Sequence, residues 1–317
     1  MGKIDTETKK YLDNDARFSD LFNFWIYGGE DVIKPDKLRE LDTTAIAIPY
    51  GNKAKKHVQK YRDLLKLYSA KQDDEAIYLI LGVEIEAKTH YAMPVRNMLY
   101  DALNYAQQVS DIAEHNTKAH LHMTRDEFLS GLLESDRLRP VITLVFNVSG
   151  EPWKGTTNIH DLLSVKDKRI LQFVPNYQMN LLSPDLLNES DFDKFKTNLG
   201  AALQFIKHQK DDNMDWINNM KRLEHVDRAT ADFIQTATGT KFDIDDDDEV
   251  INVCRAWENS LNKAKTESEA IGEAKGKDSE RLNSIRNVMK SLNVTVNRAM
   301  EILCIPADEQ KKYISLL

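Results

Sequence analysis

Three ionisable side chains stand at every second position of the stretch IYLILGVEIEAK: Glu84, Glu86 and Lys88. The residues before them, Ile77, Leu79, Ile80, Leu81 and Val83, make an apolar run of strand length. Strand side chains alternate between faces, so the three charged groups are expected on one face. Two carboxylates on one face supply hard oxygen ligands for a divalent cation such as Mg²⁺, and a neighbouring lysine can steady a phosphate. A third acid is available upstream. Asp63, in KYRDLLKLY, lies one short polar connection (SAKQDDEA) away, so its strand is expected to pair with residues 76–87 as a hairpin.

The elements that must position these groups can be read from the periodicity. ARFSDLFNFWIYGGE (16–30) carries Phe18, Leu21, Phe22 and Trp25 at helical spacing and ends at Gly28-Gly29. TTAIAIPYGN (43–52) reads as a short strand, and VQKYRDLLKLYSA (58–70) fits helix or strand. After the site strand, VRNMLYDALNYAQQVSDIAEHN makes a helical stripe, and RPVITLVFNVS (139–149) is a second β-branched run. With 58–70 taken as a strand the order is helix, three strands, helix, strand, an α/β core. Beyond about residue 185 strands fade into amphipathic helices. TESEAIGEAKGKDSERL (266–282) reads as a charged connector helix, and the end as short helices broken near Asn293 and at Pro306. These shifts predict a core over 1–185, a helical region over 186–265 and a connector with short helices over 266–317.

The chain has 317 residues, 41% of them hydrophobic, and a net charge of −8. That is enough for one large or two modest cores, and the acidic balance argues against a simple basic nucleic-acid coat protein. No apolar run approaches the ~20 residues that span a bilayer. The polar start lacks a signal-peptide core, and Met1-Gly2 with Thr6 only brushes the myristoylation pattern. Cytoplasmic residence without membrane association is the expectation. Cys254 and Cys304 are too few for a disulfide framework or a cysteine zinc site. Residues 53–66 are locally basic. Lys55, Lys56, Lys60 and Arg62 there are candidates for phosphate contacts, against the plainer reading of a solvated loop and strand edge. His115, His120 and His122 lack further ligands at zinc spacing. The acidic run FDIDDDDEV lacks the glycine and the final glutamate of a calcium loop and reads as a helix N-terminus. No GxxxxGK[ST] or GxGxxG occurs, which sets nucleotide cofactors aside. Asp20 and Asp42 are outside candidates for an accessory acid.

An acid on one strand facing Glu-x-(Lys-like) on the next is the pattern of the PD-(D/E)xK nucleases. The chain resembles, more narrowly, the bacterial recombination-promoting nucleases, also described as transposases of that class. Their core runs rysDll, an apolar strand ending in Glu-His-Gln-Ser, then MpxRxxxY. This sequence reads KYRDLLKLY, LILGVEIEAK and AMPVRNMLY in that order. Downstream, LVFNVSGEPWKGTTNIHDLL and FVPNYQMNLL match further family elements, and AMEILCIPADEQKKYISLL resembles the family's helical ending. The likeness covers roughly residues 15–185 and 280–317.

By this resemblance the fold is restriction-endonuclease-like, a mixed sheet flanked by helices in the order αβββαβ, with an α-helical C-terminal half. The implied activity is Mg²⁺-dependent DNA cleavage, with Mn²⁺ as substitute, linked to recombination, mobile elements or phage defence. Asp63 and Glu84 take the metal-binding positions, Arg96 and Tyr100 match family positions on the following helix, and a homodimer would supply two sites for two strands. His160-Asp161 match an element with a structural role. The departure is Glu86, where the family has Gln and the superfamily Lys. Either Glu86 is an additional metal ligand, or the register shifts so that Glu86-Ala87-Lys88 supplies the Glu-x-Lys pair. A third reading is a catalytically dead relative that binds nucleic acid or regulates through its helical half.

Overall fold

The structure, a computed structural model, describes residues 2–47, 58–61, 63–72, 75–211, 215–218, 220–245 and 247–316. It comprises two units, Met1–Cys254 and Arg255–Leu317. The first opens with helices α1 (Lys3–Leu12) and α2 (Asp15–Tyr27), followed by strands β1 (Leu38–Glu40), β2 (Thr44–Ala47), β3 (Val58–Tyr61), β4 (Leu64–Gln72) and β5 (Glu75–Glu86). Helix α3 (Met93–Lys118), the short α4 (Arg125–Ser130) and β6 (Val141–Asn147) come next. They are followed by α5 (Ile159–Leu162), α6 (Lys168–Leu171) and β7 (Asn180–Leu182). Helices α7 (Glu189–Phe192), α8 (Leu199–His208), α9 (Asp215–Asn218) and α10 (Arg228–Thr238) complete the unit with the two-residue strands β8 (Val226–Asp227) and β9 (Val250–Ile251).

The main sheet is mixed, in the order β1-β4-β5-β6-β7. β4 pairs antiparallel with β1 and β5, whereas β5, β6 and β7 run parallel. A parallel pair needs a long connection, and α3 provides the one from β5 to β6. β5 is covered on both faces, with Leu81, Val83 and Ile85 buried along with Glu84, which explains its nearly continuous apolar run. The segment that fitted helix or strand is two strands: β3 forms a ribbon with β2, and β4 joins the sheet. The expected hairpin between residues 58–70 and 76–87 is the β4–β5 pair.

Local chemistry sets the helix ends. Asn14 caps α2 by accepting from the Ala16 and Arg17 N–H groups, and Gly28 closes it at φ +64, a conformation that suits a residue without Cβ. α3 begins with Pro94 in its first turn, where a missing N–H costs little. α1 is a further helix within what reads as a merely polar start, and it buries Thr8, Tyr11 and Leu12. Tyr11 stacks on Phe233 of α10 at 4.3 Å and its hydroxyl meets Thr230 at 2.9 Å. Arg17 pairs with Asp227 at 2.8 Å. These contacts pack helices beyond residue 185 onto the N-terminal helices within the Met1–Cys254 unit.

In the second unit, the C-terminal turns of α11 (Val253–Leu292) pack against α12 (Val296–Ile302) and α13 (Ala307–Ile314). Ile285, Ala299, Met300, Ile305 and Tyr313 form its core. The breaks occur where expected: Asn293 has φ +50, and Pro306 caps α13. The charged 266–282 stretch is helical within α11.

One charge in the basic run has an interior role. Lys66 is 1% exposed, and its Nζ donates to Asp13 O at 2.6 Å and Asp15 Oδ1 at 2.7 Å, beside the Phe18 ring. It ties β4 to the α1–α2 junction on the face opposite Leu65, as strand alternation requires. Removing the Asp15 charge leaves the buried ammonium to the longer contact with the Asp13 carboxylate at 3.4 Å, whereas replacing the lysine by an apolar chain of similar length removes the charge and keeps the packing. Asp15→Asn is therefore expected to cost about 2–3 kcal/mol and Lys66→Met less than about 1 kcal/mol in urea denaturation. Equal costs would show that packing alone, and not the paired charge, makes this junction.

Candidate metal and phosphate site

The acids come together through strand register. Leu64, the first residue of β4, pairs with Val83, and Asp63, just before it, has its Oδ2 accept the Ile85 N–H at 2.8 Å. Glu84 is fully buried and Glu86 has 14% of its side chain exposed. Their neighbours across the parallel ladder, Val145 and Asn147, share this face with Thr143, the partner of Gly82. α3 lies over it. Met93 packs on Val145, and Asp101 Oδ1 accepts the Thr143 hydroxyl at 2.6 Å. Residues 93, 96, 97, 100 and 101 form one stripe of the helix, so those two contacts hold Arg96 and Tyr100 over the end of β5.

Arg96 divides its guanidinium between the two glutamates. Nη2 donates to Glu84 Oε2 at 2.9 Å, Nη1 to Glu86 Oε1 at 2.8 Å, and Nε to the Tyr100 hydroxyl at 3.1 Å. The planar fork suits two acceptors at once, and charge-assisted bonds of this kind are stronger than neutral ones. Burial pushes the Asp63 carboxyl above its ordinary value, with the Ile85 N–H and the Arg96 charge opposing. Burial likewise raises Glu86, Arg96 again opposing and Asp63 adding to the rise. Burial works against the charge on Arg96, but Glu84, Tyr100 and Glu86 together hold the guanidinium protonated. Two groups from α1 also act here: Lys9 lowers Asp63, while Asp5 raises both Asp63 and Glu86. Their polar helix gave no sign of this role, because which strand end α1 approaches is decided by its packing on α10.

Lys88 stands apart. The alternation holds for Glu84 and Glu86, but β5 ends at Glu86, and Lys88 is exposed in the bend that follows. Lys55, Lys56 and Arg62 lie outside the described residues, as does the side chain of Lys60, whose backbone pairs with Ala45 in the β2–β3 ribbon. Asp20 is committed elsewhere: its carboxylate accepts the Lys196 and Thr197 N–H groups and the Thr197 hydroxyl. His160 sits in α5 with Nε2 against Val174 O at 2.7 Å, a local structural bond.

Among the described residues no three His, Cys, Asp or Glu side chains converge as a ready-made metal site. The donor set nevertheless suits Mg²⁺: Asp63, Glu84 and Glu86 offer only hard oxygens, and carboxyls whose charge burial disfavours gain most from a neighbouring cation. Arg96 supplies that positive charge at both glutamates. The chain matches no protein-family model, and no significant match to it is found among curated proteins or solved structures.

The raised carboxyls have a consequence for stability. Asp63 and Glu86 titrate higher folded than unfolded, so the folded chain binds more protons in that interval and loses stability as pH rises through it. Removing Arg96 takes away the opposing charge, raises both further and extends the loss upward. Arg96→Met is expected to cost about 3 kcal/mol near neutral pH and clearly less near pH ~5, read from urea midpoints. A cost independent of pH would mean that Arg96 contributes packing only.

Proposed function

We propose that the chain is a metal-dependent DNA endonuclease with a PD-(D/E)xK-like core, hydrolysing phosphodiester bonds. The observation that carries this reading is that Asp63, at the entry to β4, accepts the Ile85 N–H between Glu84 and Glu86, whose side chains share a face at the end of a central strand. Asp63, Glu84 and Glu86 would hold Mg²⁺, which when bound would polarise the scissile phosphate and lower the pKa of an attacking water. The chain's own residues do the rest. The Ile85 N–H orients Asp63, the sheet under α3 limits water around Glu84, and Arg96 offers positive charge beside both glutamates. The residues 53–66 would contribute backbone phosphate contacts, and a homodimer would present two sites to duplex DNA. A role in recombination or mobile-element biology rests on the sequence resemblance.

A second reading has its own support. Arg96 already pairs with both Glu84 and Glu86, as in a site that has exchanged its metal for an internal cation. Such a protein would bind nucleic acid or regulate without cutting it.

Nicking of supercoiled plasmid with Mg²⁺, Mn²⁺ or EDTA separates the two. Metal-dependent nicking is expected, reduced at least about 100-fold in Asp63→Asn and in Glu84→Gln. Lys88→Ala decides the register: a comparable loss assigns Lys88 the motif lysine, and a small effect leaves Glu86 as a ligand. Wild type that does not nick and whose melting temperature ignores Mg²⁺ would establish the non-catalytic reading.

A further inference from the structure

We infer that Arg96 is a latch on the carboxylate site: it takes one oxygen of each glutamate and sets its positive charge beside the remaining ones, so a divalent cation must compete with its guanidinium to enter. The inference rests on the nuclease reading of the same site and adds its regulation. Three observations support it. Arg96 engages Glu84 and Glu86 simultaneously, at 2.9 and 2.8 Å, so its position is shared between two candidate ligands and not given to one. Its Nε is tied to Tyr100, one turn along α3, which itself is buried, so the fork is aimed by the helix. Its side chain is 32% exposed while that of Glu84 is 0% exposed, so the arginine has a route outward that the glutamate lacks.

Arg96 leaves the second oxygen of each glutamate outside its fork, but a divalent cation there would lie beside a fixed guanidinium charge, and that repulsion makes their binding competitive. Arginine remains charged at any working pH, so proton loss cannot clear the latch. Displacement must come from the metal, from a competing anion that draws the guanidinium away, or from both. A phosphodiester is such an anion, since it accepts a bidentate guanidinium as well as a carboxylate does. Substrate and metal would then assist one another: DNA phosphate draws Arg96 outward while the cation takes over Glu84 and Glu86. Free protein would hold metal weakly.

The test is Mn²⁺ binding to the full-length protein, measured from the free-ion electron paramagnetic resonance signal, in the presence and absence of a short duplex in EDTA-free buffer. Arg96→Gln is expected to bind Mn²⁺ at least about tenfold more tightly than wild type. Tyr100→Phe, which loosens the fork without removing its charge, should shift affinity the same way by less, and it serves should the Arg96 variant fail to fold. Lys9→Gln is the control for distant charge, because Lys9 acts on Asp63 through its field. Its affinity should stay within about twofold of wild type at moderate salt. Duplex should tighten Mn²⁺ binding to wild type but not to Arg96→Gln. Wild type silent with Arg96→Gln binding would also support the latch, in a more firmly closed form. Wild type that binds Mn²⁺ as tightly as Arg96→Gln, or Lys9→Gln tightening as much as Arg96→Gln, would overturn it. No binding by any form would instead remove the nuclease reading and the latch with it.

Discussion

A carboxylate inside a protein costs free energy unless a compensating charge and hydrogen bonds accompany it, and Glu84 has no exposed surface at all. Arg96 supplies the compensation, and much of the first unit's design can be followed from that pair. The guanidinium has to come from an element lying across the sheet, which requires a helix between two parallel strands. The helix has to be held in rotation, which Met93 on Val145 and Asp101 on Thr143 achieve. The second glutamate, Glu86, two residues on, then falls within reach of the other guanidinium nitrogen.

The opposite face of the sheet meets the same physics with the signs reversed. Lys66 is buried on β4, and its partners are half-exposed aspartates at the α1–α2 junction. The central hairpin therefore carries a buried anion toward α3 and a buried cation toward α2. Each fixes the helix layer on its side, because either helix moving away would strand a charge in a low-dielectric interior. Apolar packing supplies most of the stability, as in any domain of this size. The two charge pairs add register: a one-residue slip of β4 against β5 would turn Lys66 toward the acids and Asp63 away from them.

This arrangement bears on how the site could work. An acid cluster already paired with an internal cation can fold without waiting for metal, because Arg96 lowers the penalty of assembling its carboxylates. Under the proposed nuclease reading, the same pairing sets a threshold for metal entry. A nuclease that meets its host's DNA continuously benefits from such a threshold, and an inactive relative would show the same internal pair as a purely structural feature. The chemistry of the ligands is common to both, so exchange of the guanidinium for a divalent cation is what distinguishes them.

Much of this was legible in the chain itself. The alternation of Glu84 and Glu86, the apolar run before them, the acid one hairpin upstream and the stripe around Met98 and Leu103 are local patterns, and local patterns follow directly from strand and helix periodicity. They determined that β4 and β5 pair, that a helix follows, and that Glu84 and Glu86 share a face of the strand. Three things depended on contacts between residues far apart in sequence. Lys66 counts as one more base in a basic run, yet it is an interior ion, because only the register sets it behind Phe18. Lys88 keeps the two-residue spacing but falls outside the strand, because β5 loses its pairing partners after Glu86. Arg96 matches a motif by position alone. Its engagement of both glutamates required the crossover to lie on their face of the sheet, and spacing along a chain carries no information about which face a helix will cover.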